Sequence, residues 1–291
     1  MVSFSTLLLT TLLPPLSLTS ALQQPPTCQS ATVRTTPAVP RAGTLFRISM
    51  RWDTGAKPPA SSVAGEPLHW RTAGDSLVAI AAAPIDSAQG VTLTLTCDGQ
   101  PPRTLRLTTD AGTYRLEALR VAPRFSAKPD SALAARQARE AERAAAVSRA
   151  SHDVPRLWTQ PFVVPRPSRI TSGFGSGRTF NGAVTSRHMG TDYAGAVGAP
   201  VRAVNRGVVR LVDAFYLGGN VVYIDHGEGL VTAYLHLSKQ RVAEGDTVAR
   251  GQIIGNVGAT GRVTGPHLHL ITRFGMVTVD PLSVIGRSLG K

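Results

Sequence analysis

Short stretches in which apolar and polar residues alternate run through this chain, and they constrain its fold more than any other feature. In residues 46–52 (FRISMRW) every second residue is apolar, and residues 91–97 (VTLTLTC) repeat the pattern. Side chains alternate between the two faces of a β-strand, so a period of two predicts strands that are buried on one face. Glycines between such segments are typical of turns. Together they predict a β-sandwich-like domain over residues 28–122.

Residues 129–152 have a different composition, rich in Ala, Arg, Glu and Gln, without glycine or an internal proline. Pro129-Asp130 is typical of a helix N-terminus, and Pro155 lies beyond the other end. We predict a connecting helix about 30 Å long. A basic arm that binds nucleic acid is the alternative, but Glu140 and Glu142 dilute the basic face.

Strand candidates return after residue 161, separated by glycine-rich turns and with no convincing helix between them. Short loops favour antiparallel connections. The sequence therefore predicts a mainly β chain. It comprises the N-terminal β-sandwich-like domain, the connecting helix, and a C-terminal antiparallel β-sheet domain over residues 161–291.

The first 21 residues resemble a secretory signal peptide. Their apolar run, residues 7–18, is too short to cross about 30 Å of hydrocarbon, and small residues follow it at 19–21. No Lys or Arg precedes the run, so an uncleaved membrane anchor stays open as the alternative. In an exported chain the two cysteines, Cys28 and Cys97, predict a disulfide. We expect the protein to be secreted or periplasmic.

The formal net charge is +13, and the excess of basic residues is spread over both halves of the chain. A nucleic-acid module would concentrate its charge on one patch or helix, so the spread argues against nucleic acid as a partner. Attraction to an anionic polymer, such as a bacterial envelope, fits better. A solvated basic surface without a particular partner is the alternative.

Four of the seven histidines fall in three short segments, which are His188-x-x-x-Asp192, residues 234–237 (YLHL) and residues 265–269 (GPHLH). On a strand, His267 and His269 point the same way. Two imidazoles and one carboxylate on neighbouring strands are the ligand set of a catalytic zinc site, which keeps a fourth position open. Two imidazoles are left to handle protons.

These segments and their neighbours resemble the LytM/lysostaphin-type zinc endopeptidases, which cleave the peptides of peptidoglycan. The resemblance covers residues 161–285 and depends on the order of SGFG (172–175), RHMGTDY (187–193), GAPV (198–201), DHG (225–227), YLHL (234–237), GD (245–246), TG through GPHLH (260–269) and DP (280–281). It implies a small antiparallel β-sheet fold with one zinc ion in a groove along the sheet.

The resemblance also implies roles for individual residues. His188, Asp192 and His269 match the zinc ligands of the family, and His236 and His267 match its two catalytic histidines. The division of labour between His236 and His267 stays open. Neither cysteine lies near these residues in the sequence, so neither is expected to bind the metal.

Three further residues carry weaker signals. Asn181, in a Phe-Asn-Gly turn, either contacts substrate or shapes its loop. His226 is expected to be a turn residue and His69 a packed or surface histidine. No glycine-rich segment has the lysine or helix start that phosphate binding needs.

We therefore predict an exported zinc metalloendopeptidase acting on peptidoglycan stems or cross-links. The alternatives are a non-catalytic regulator that binds a cell-wall amidase or the wall itself, and a zinc peptidase of ordinary proteins. The sequence leaves open which bond is cut, whether the N-terminal region or the helix covers the groove, and the oligomeric state.

Overall fold

The computed structural model describes residues 27–53, 55–182 and 184–286, without the side chains of residues 184 and 185. The predicted signal peptide, residues 1–21, lies outside the described residues. Among the helices within these ranges, none is long and apolar enough to cross a membrane.

Eight strands build the N-terminal domain. In chain order they are β1 (Val33–Thr36), β2 (Leu45–Arg51), β3 (Ala60–Val63), β4 (Glu66–Pro67), β5 (Arg71–Ala73), β6 (Ser76–Ala82), β7 (Val91–Thr96) and β8 (Arg103–Leu107). They form two four-stranded antiparallel sheets, ordered β1-β2-β6-β5 and β4-β3-β7-β8. The alternation in the sequence places Ile48 and Met50 of β2 in one buried core with Leu93 and Leu95 of β7.

The two cysteines form the predicted disulfide. Cys28 precedes β1 and Cys97 follows β7, with Cα atoms 5.9 Å apart. Cys28 is fully buried in the core of the domain. The bond therefore fixes the N-terminal end of the domain to its second sheet.

The connecting helix, α1 (Ser131–Ala150), begins where the sequence indicates. The Asp130 side chain accepts a hydrogen bond from the Leu133 backbone N–H at 2.8 Å, which satisfies one of the free donors of the first turn. Ala144 is the buried contact of the helix with an apolar cluster on the C-terminal sheet, where Val147 also packs. The prediction of a mainly β chain with one helix is confirmed.

The remaining strands are β9 (Leu116–Leu119), β10 (Ile170–Ser172), β11 (Gly177–Phe180), β12 (Val184–Arg187), β13 (Thr191–Ala194), β14 (Pro200–Arg202), β15 (Gly207–Phe215), β16 (Gly219–Asp225), β17 (Leu230–Gln240), β18 (Thr247–Val248), β19 (Ile253–Val257), β20 (His267–Phe274) and β21 (Val277–Val279). Ten of them form one sheet, whose main path is β10-β13-β20-β17-β16-β15-β18. Strand β14 pairs with β19, β19 with β17, and β21 with β20, and the pairs are antiparallel as expected.

A three-stranded sheet, β12-β11-β9, stands apart from this large sheet and contains a parallel pair. Strand β9 lies between the sandwich and α1 in sequence, yet it pairs in parallel with β11, with Glu117 opposite Arg178. A segment N-terminal to the helix is therefore part of the C-terminal half.

The two faces of the large sheet have different neighbours. Tyr234 belongs to a core that also contains Leu45 and Ile80 of the sandwich domain. The next residue on β17, Leu235, belongs to the cluster covered by α1. His269 lies opposite Leu235 in the pairing of β17 with β20. This register places His269 and Leu235 on the face that carries α1.

Polar contacts also join the two halves of the chain. Arg41 and Asp280 form an ion pair at 2.9 Å, and the Leu45 backbone N–H donates to Ser283 Oγ at 3.1 Å. The predicted domain limits of 28–122, 129–152 and 161–291 stay predictions.

Candidate metal centre and groove

A cleft opens on the face of the C-terminal sheet that carries α1, and the histidines that the sequence analysis identifies line this cleft. Its lining includes His188, Asp192, His236, His267 and His269. The five residues come from the loop after β12, from β13, from β17 and from β20. Strand pairing brings them together, since Asp192 of β13 lies directly opposite His269 of β20.

Three side chains converge on one point. Asp192 Oδ1 lies 3.0 Å from His188 Nε2 and 2.7 Å from His269 Nδ1, and the two nitrogens are 2.9 Å apart. All three residues are buried, and they form the one group of potential metal ligands found in the described residues. The structure brings together the three residues that the sequence analysis assigns as zinc ligands, and their role as ligands stays a prediction.

The ligand geometry fits a small divalent cation. Bonds of about 2.0–2.1 Å from zinc to nitrogen and oxygen place tetrahedral ligand atoms about 3.3 Å apart. The three separations here are a few tenths of an ångström shorter, so small outward movements would seat the ion. Two neutral imidazoles and one carboxylate suit zinc, and three protein ligands leave one position open.

Each of two ligands is oriented by a second contact. The His188 Nδ1 lies 2.8 Å from the Gly173 carbonyl oxygen, which can only accept, so Nδ1 carries the proton and Nε2 faces the centre. Asp192 Oδ2 accepts a hydrogen bond from Arg178 Nη2 at 2.9 Å, which leaves Oδ1 for the metal. Such outer contacts fix the tautomer and rotamer of a metal ligand.

The charge on Asp192 is stable in this environment. Burial alone would raise the pKa of this carboxyl, but the close contacts with His188 and His269 outweigh it and hold the pKa well below its usual range. Burial lowers the pKa of His269, which is fully enclosed. Around neutral pH the carboxylate is therefore ionised and the His269 imidazole neutral, which are the forms that bind a metal.

His236 reaches the cleft through a break in strand β17. Its φ is +64°, the left-handed region, and the pairing of β17 with β16 shifts register nearby. In a regular strand His236 would share the face of Tyr234, which is buried in the core. The left-handed residue costs about 1–2 kcal/mol, and it brings the ring to 5.0 Å from that of His267 on the opposite face.

His236 and His267 are held in the same tautomer. His236 Nδ1 donates to the Thr260 carbonyl at 2.8 Å, and His267 Nδ1 donates to the Gly265 carbonyl at 2.8 Å. Because a carbonyl only accepts, each Nδ1 carries the proton, and each Nε2 has a free lone pair when the ring is neutral. Burial, together with the neighbouring His269 and His267, lowers the pKa of His236 to about 3. His267 Nε2 lies 3.7 Å from Asp192 Oδ1, close to the metal ligands.

The cleft contains an acidic residue that sequence reasoning missed. Glu117 of β9 accepts hydrogen bonds from Ser172 Oγ at 2.7 Å and from Arg178 Nε at 2.9 Å. Ser172 Oγ also lies 3.1 Å from His188 Nδ1, and Arg178 binds Asp192. No local signal marks Glu117, because its role depends on the pairing of β9 with β11, in which its partner Arg178 lies 61 residues away.

The weaker candidates have identifiable contacts. The Asn181 side-chain amide donates to the Val121 carbonyl and accepts from the Val121 N–H, both at 3.0 Å, so it fastens the segment after β9. Its contact with substrate stays a prediction. His226 is buried against Thr232 Oγ1, and His69 lies 2.9 Å from His152. Neither takes part in the metal cluster.

The C-terminal half of the chain is similar to known proteins. Residues 186–281 match Peptidase family M23. The peptidoglycan DD-endopeptidase ShyC of Vibrio cholerae serotype O1 is 50% identical over 82 residues, which are 28% of this chain and 19% of that protein. The DD-carboxypeptidase/endopeptidase Mpg of Neisseria meningitidis serogroup B is 47% identical over 97 residues, which are 33% of this chain and 22% of that protein. The chain thus spans about a fifth of the length of these relatives.

The similarity to solved structures extends over most of the chain. A crystal structure of a peptidase M23 from Pseudomonas aeruginosa has 26% sequence identity and a TM-score of 0.66, covering 85% of this chain and 95% of the other. The family match covers only residues 186–281, whereas this structure aligns with 85% of the chain. The structural similarity therefore includes residues of the N-terminal half as well as the C-terminal sheet.

Proposed function

This chain belongs to peptidase family M23 through its C-terminal domain, and on that premise we propose that it is an exported zinc-dependent endopeptidase. Its substrates are the peptides of peptidoglycan, cut in the stems or the cross-links. The observation that carries the proposal is the convergence of His188, Asp192 and His269 in an open cleft beside two unligated histidines. A complete ligand set is what a working hydrolase needs.

His188, Asp192 and His269 would hold the metal, one zinc per chain. Bound zinc supplies a Lewis acid that polarises the scissile carbonyl and activates water near neutral pH. The protein contributes the orientation of the ligands. Arg178 and the Gly173 carbonyl hold the outer atoms of Asp192 and His188, so the inner atoms stay aimed at one point.

His236 and His267 handle protons and charge. Both are held with Nδ1 protonated, so either Nε2 can accept a proton from water and return it to the leaving amine. A protonated or hydrogen-bonding imidazole at this position also stabilises the oxyanion that forms on the carbonyl. The backbone carbonyls of Thr260 and Gly265 keep both rings oriented throughout.

The cleft suits an extended peptide. The cleft is lined by Leu119 at the end of strand β9, by Val121 just after it, and by residues 262–266. Strands and extended loops present backbone groups to which an extended substrate can hydrogen-bond. Glu117 of β9 lines the same cleft, so a segment N-terminal to α1 forms part of its wall.

Several features support an envelope location. The disulfide is typical of proteins that fold in an oxidising compartment. ShyC is described as a peptidoglycan DD-endopeptidase, and peptidoglycan lies in the cell envelope. A cleavable signal peptide over residues 1–21 would deliver the chain there.

The experiment compares hydrolysis of purified peptidoglycan with hydrolysis of casein by the full-length protein. We expect turbidity loss with peptidoglycan, its abolition by a chelator, and recovery on addition of zinc. Mass analysis of the products identifies the bond that is cut. The His269→Ala variant is the matched control, because it removes one ligand from the centre.

Each alternative gives a different result in this assay. Cleavage of casein at rates similar to peptidoglycan would favour a peptidase of ordinary proteins. Wall binding without any product, in zinc-loaded protein, would favour a non-catalytic regulator. Turnover that persists after complete zinc removal would contradict the proposal.

A further inference from the structure

Arg262 is a half-buried cation in the cleft without an anionic partner. Its guanidinium stacks over the Phe180 ring, 4.1 Å from the ring centroid. Within the described residues it forms no ion pair and no side-chain hydrogen bond. All aspartates and glutamates of the sequence lie within the described ranges, so no acidic side chain is left to pair with it.

The other charges in the cleft do not compensate it. Four arginines line the cleft, at positions 169, 178, 187 and 262, against the two carboxylates Glu117 and Asp192. Both carboxylates are already engaged by Arg178. A metal ion held by Asp192 would add further positive charge. Arg169 and Arg187 also form no ion pair within the described residues, but both are exposed. The cleft is therefore an electropositive surface, and Arg262 is its half-buried cation without an anionic partner.

Burial lowers the pKa of Arg262, and the positive charge of Arg178 lowers it further. Both effects mean that the protein offers this cation less stabilisation than water does. An anion bound beside Arg262 would offset both effects and stabilise the charged guanidinium, since a charge-assisted hydrogen bond is strongest where water is partly excluded.

Arg262 is fixed close to the catalytic histidines. Its backbone N–H donates to the Leu217 carbonyl at 2.9 Å. Two residues before it, the Thr260 carbonyl holds His236, and three residues after it the Gly265 carbonyl holds His267. The contact with Phe180 holds the guanidinium carbon 4.1 Å from the ring centroid, which restrains a group whose fork of N–H donors matches a carboxylate.

We propose that Arg262 binds a free carboxylate of the substrate, so that the cleft selects acidic peptides in which this group lies near the scissile bond. The inference rests on the proposed peptidase function and specifies its substrate class. A neutral peptide, or one with that carboxylate converted to a carboxamide, lacks the partner that Arg262 needs.

The test uses a set of cross-link peptides that differ only in having one carboxylate at a time converted to a carboxamide. We measure kcat/KM for the full-length, zinc-loaded protein and for Arg262→Gln. Wild type should cleave the fully acidic peptide about 10-fold better than one of the amidated peptides. In Arg262→Gln this ratio should fall to about 1, through a rise in KM for the acidic peptide.

Three controls isolate the effect. Arg139→Gln removes a charge from the exposed side of α1, outside the cleft lining, and should keep the wild-type ratio. Arg262→Lys keeps the charge but loses the planar fork, so an intermediate ratio is expected. Zinc content and thermal unfolding of each variant show whether it is folded.

Binding separates this inference from the proposed function. Equilibrium binding of the acidic and amidated peptides is measured with His267→Ala, alone and combined with Arg262→Gln. A binding preference for the acidic peptide that disappears with Arg262→Gln supports the inference, whether or not the wild-type protein hydrolyses the peptides. Failure of the wild-type protein to hydrolyse either peptide would contradict the proposed peptidase function instead. An equal response to all peptides in wild-type hydrolysis, or a preference that survives in folded Arg262→Gln, overturns the inference and leaves Arg262 as a packing residue.

Discussion

Replacing Glu117 by Gln should weaken zinc binding, although Glu117 is not a ligand and lies outside the residues that match the family. Its carboxylate holds Ser172 and Arg178, which in turn contact His188 and Asp192. Glutamine keeps the volume but removes the negative charge and one acceptor. Arg178 would then face the metal centre with Asp192, a predicted metal ligand, as its remaining carboxylate partner among the described residues.

Two effects of the same sign set the magnitude. The Glu117 carboxylate is linked to the metal position through Ser172 and His188. If the two charges are about 8 Å apart, the attraction of the carboxylate for a divalent ion is about 1 kcal/mol with water-like screening and about 4 kcal/mol at an effective dielectric constant of 20. Loss of an outer contact typically lowers metal affinity about 10- to 100-fold. We expect the zinc dissociation constant to rise at least about 10-fold, or about 1.4 kcal/mol.

The assay is an equilibrium competition for zinc between the protein and a chromophoric chelator, at two salt concentrations. Glu142→Gln is the matched control, because Glu142 is exposed on α1 and pairs with Arg149 away from the cleft. It should bind zinc as wild type does. A folded Glu117→Gln with a dissociation constant within about twofold of wild type would refute the reasoning, and would mean that Ser172 and Arg178 orient the ligands unaided.

His236→Ala and His267→Ala should keep one zinc but lose about 10²–10⁴-fold in turnover, whereas His269→Ala should lose most of its zinc. Metal analysis and peptidoglycan hydrolysis of the three variants check these outcomes. Loss of zinc in His236→Ala or His267→Ala would mean that the assigned roles are wrong. Burial lowers the pKa of the His226 imidazole to about 4, from 6.5 when it is exposed. As the pH falls, the unfolded state therefore protonates this imidazole first, and the free energy of unfolding decreases between about pH 6.5 and pH 4. Urea unfolding should show about 2 kcal/mol of this loss at pH 5, and His226→Gln should show a smaller pH slope; an unchanged slope would contradict it. The disulfide spans 69 residues, so on the chain-entropy model its reduction should lower the free energy of unfolding by about 4 kcal/mol and lower the unfolding temperature. An unchanged unfolding temperature after reduction would contradict that model for this protein.

The sequence by itself predicted the strand periodicity and the helix, and it singled out the histidines and the aspartate that cluster in the cleft. Alternation in residues 46–52 and 91–97 is a local property, and it became β2 and β7. Asp130 was readable as a helix start because capping involves only the next three residues. The HxH spacing of His267 and His269 was sufficient to place both on one face of β20, since alternation along a strand is fixed by backbone geometry.

Only the tertiary structure decided how the groove is completed. The left-handed turn at His236 breaks the alternation that sequence reasoning relies on, and it depends on the pairing of β17 with its neighbours. Glu117 enters the cleft because β9 pairs with β11, and Arg262 lies over Phe180 because a loop and a hairpin meet there. The last two contacts join residues 61 and 82 positions apart. No local pattern encodes them, because they exist only once the strands have paired.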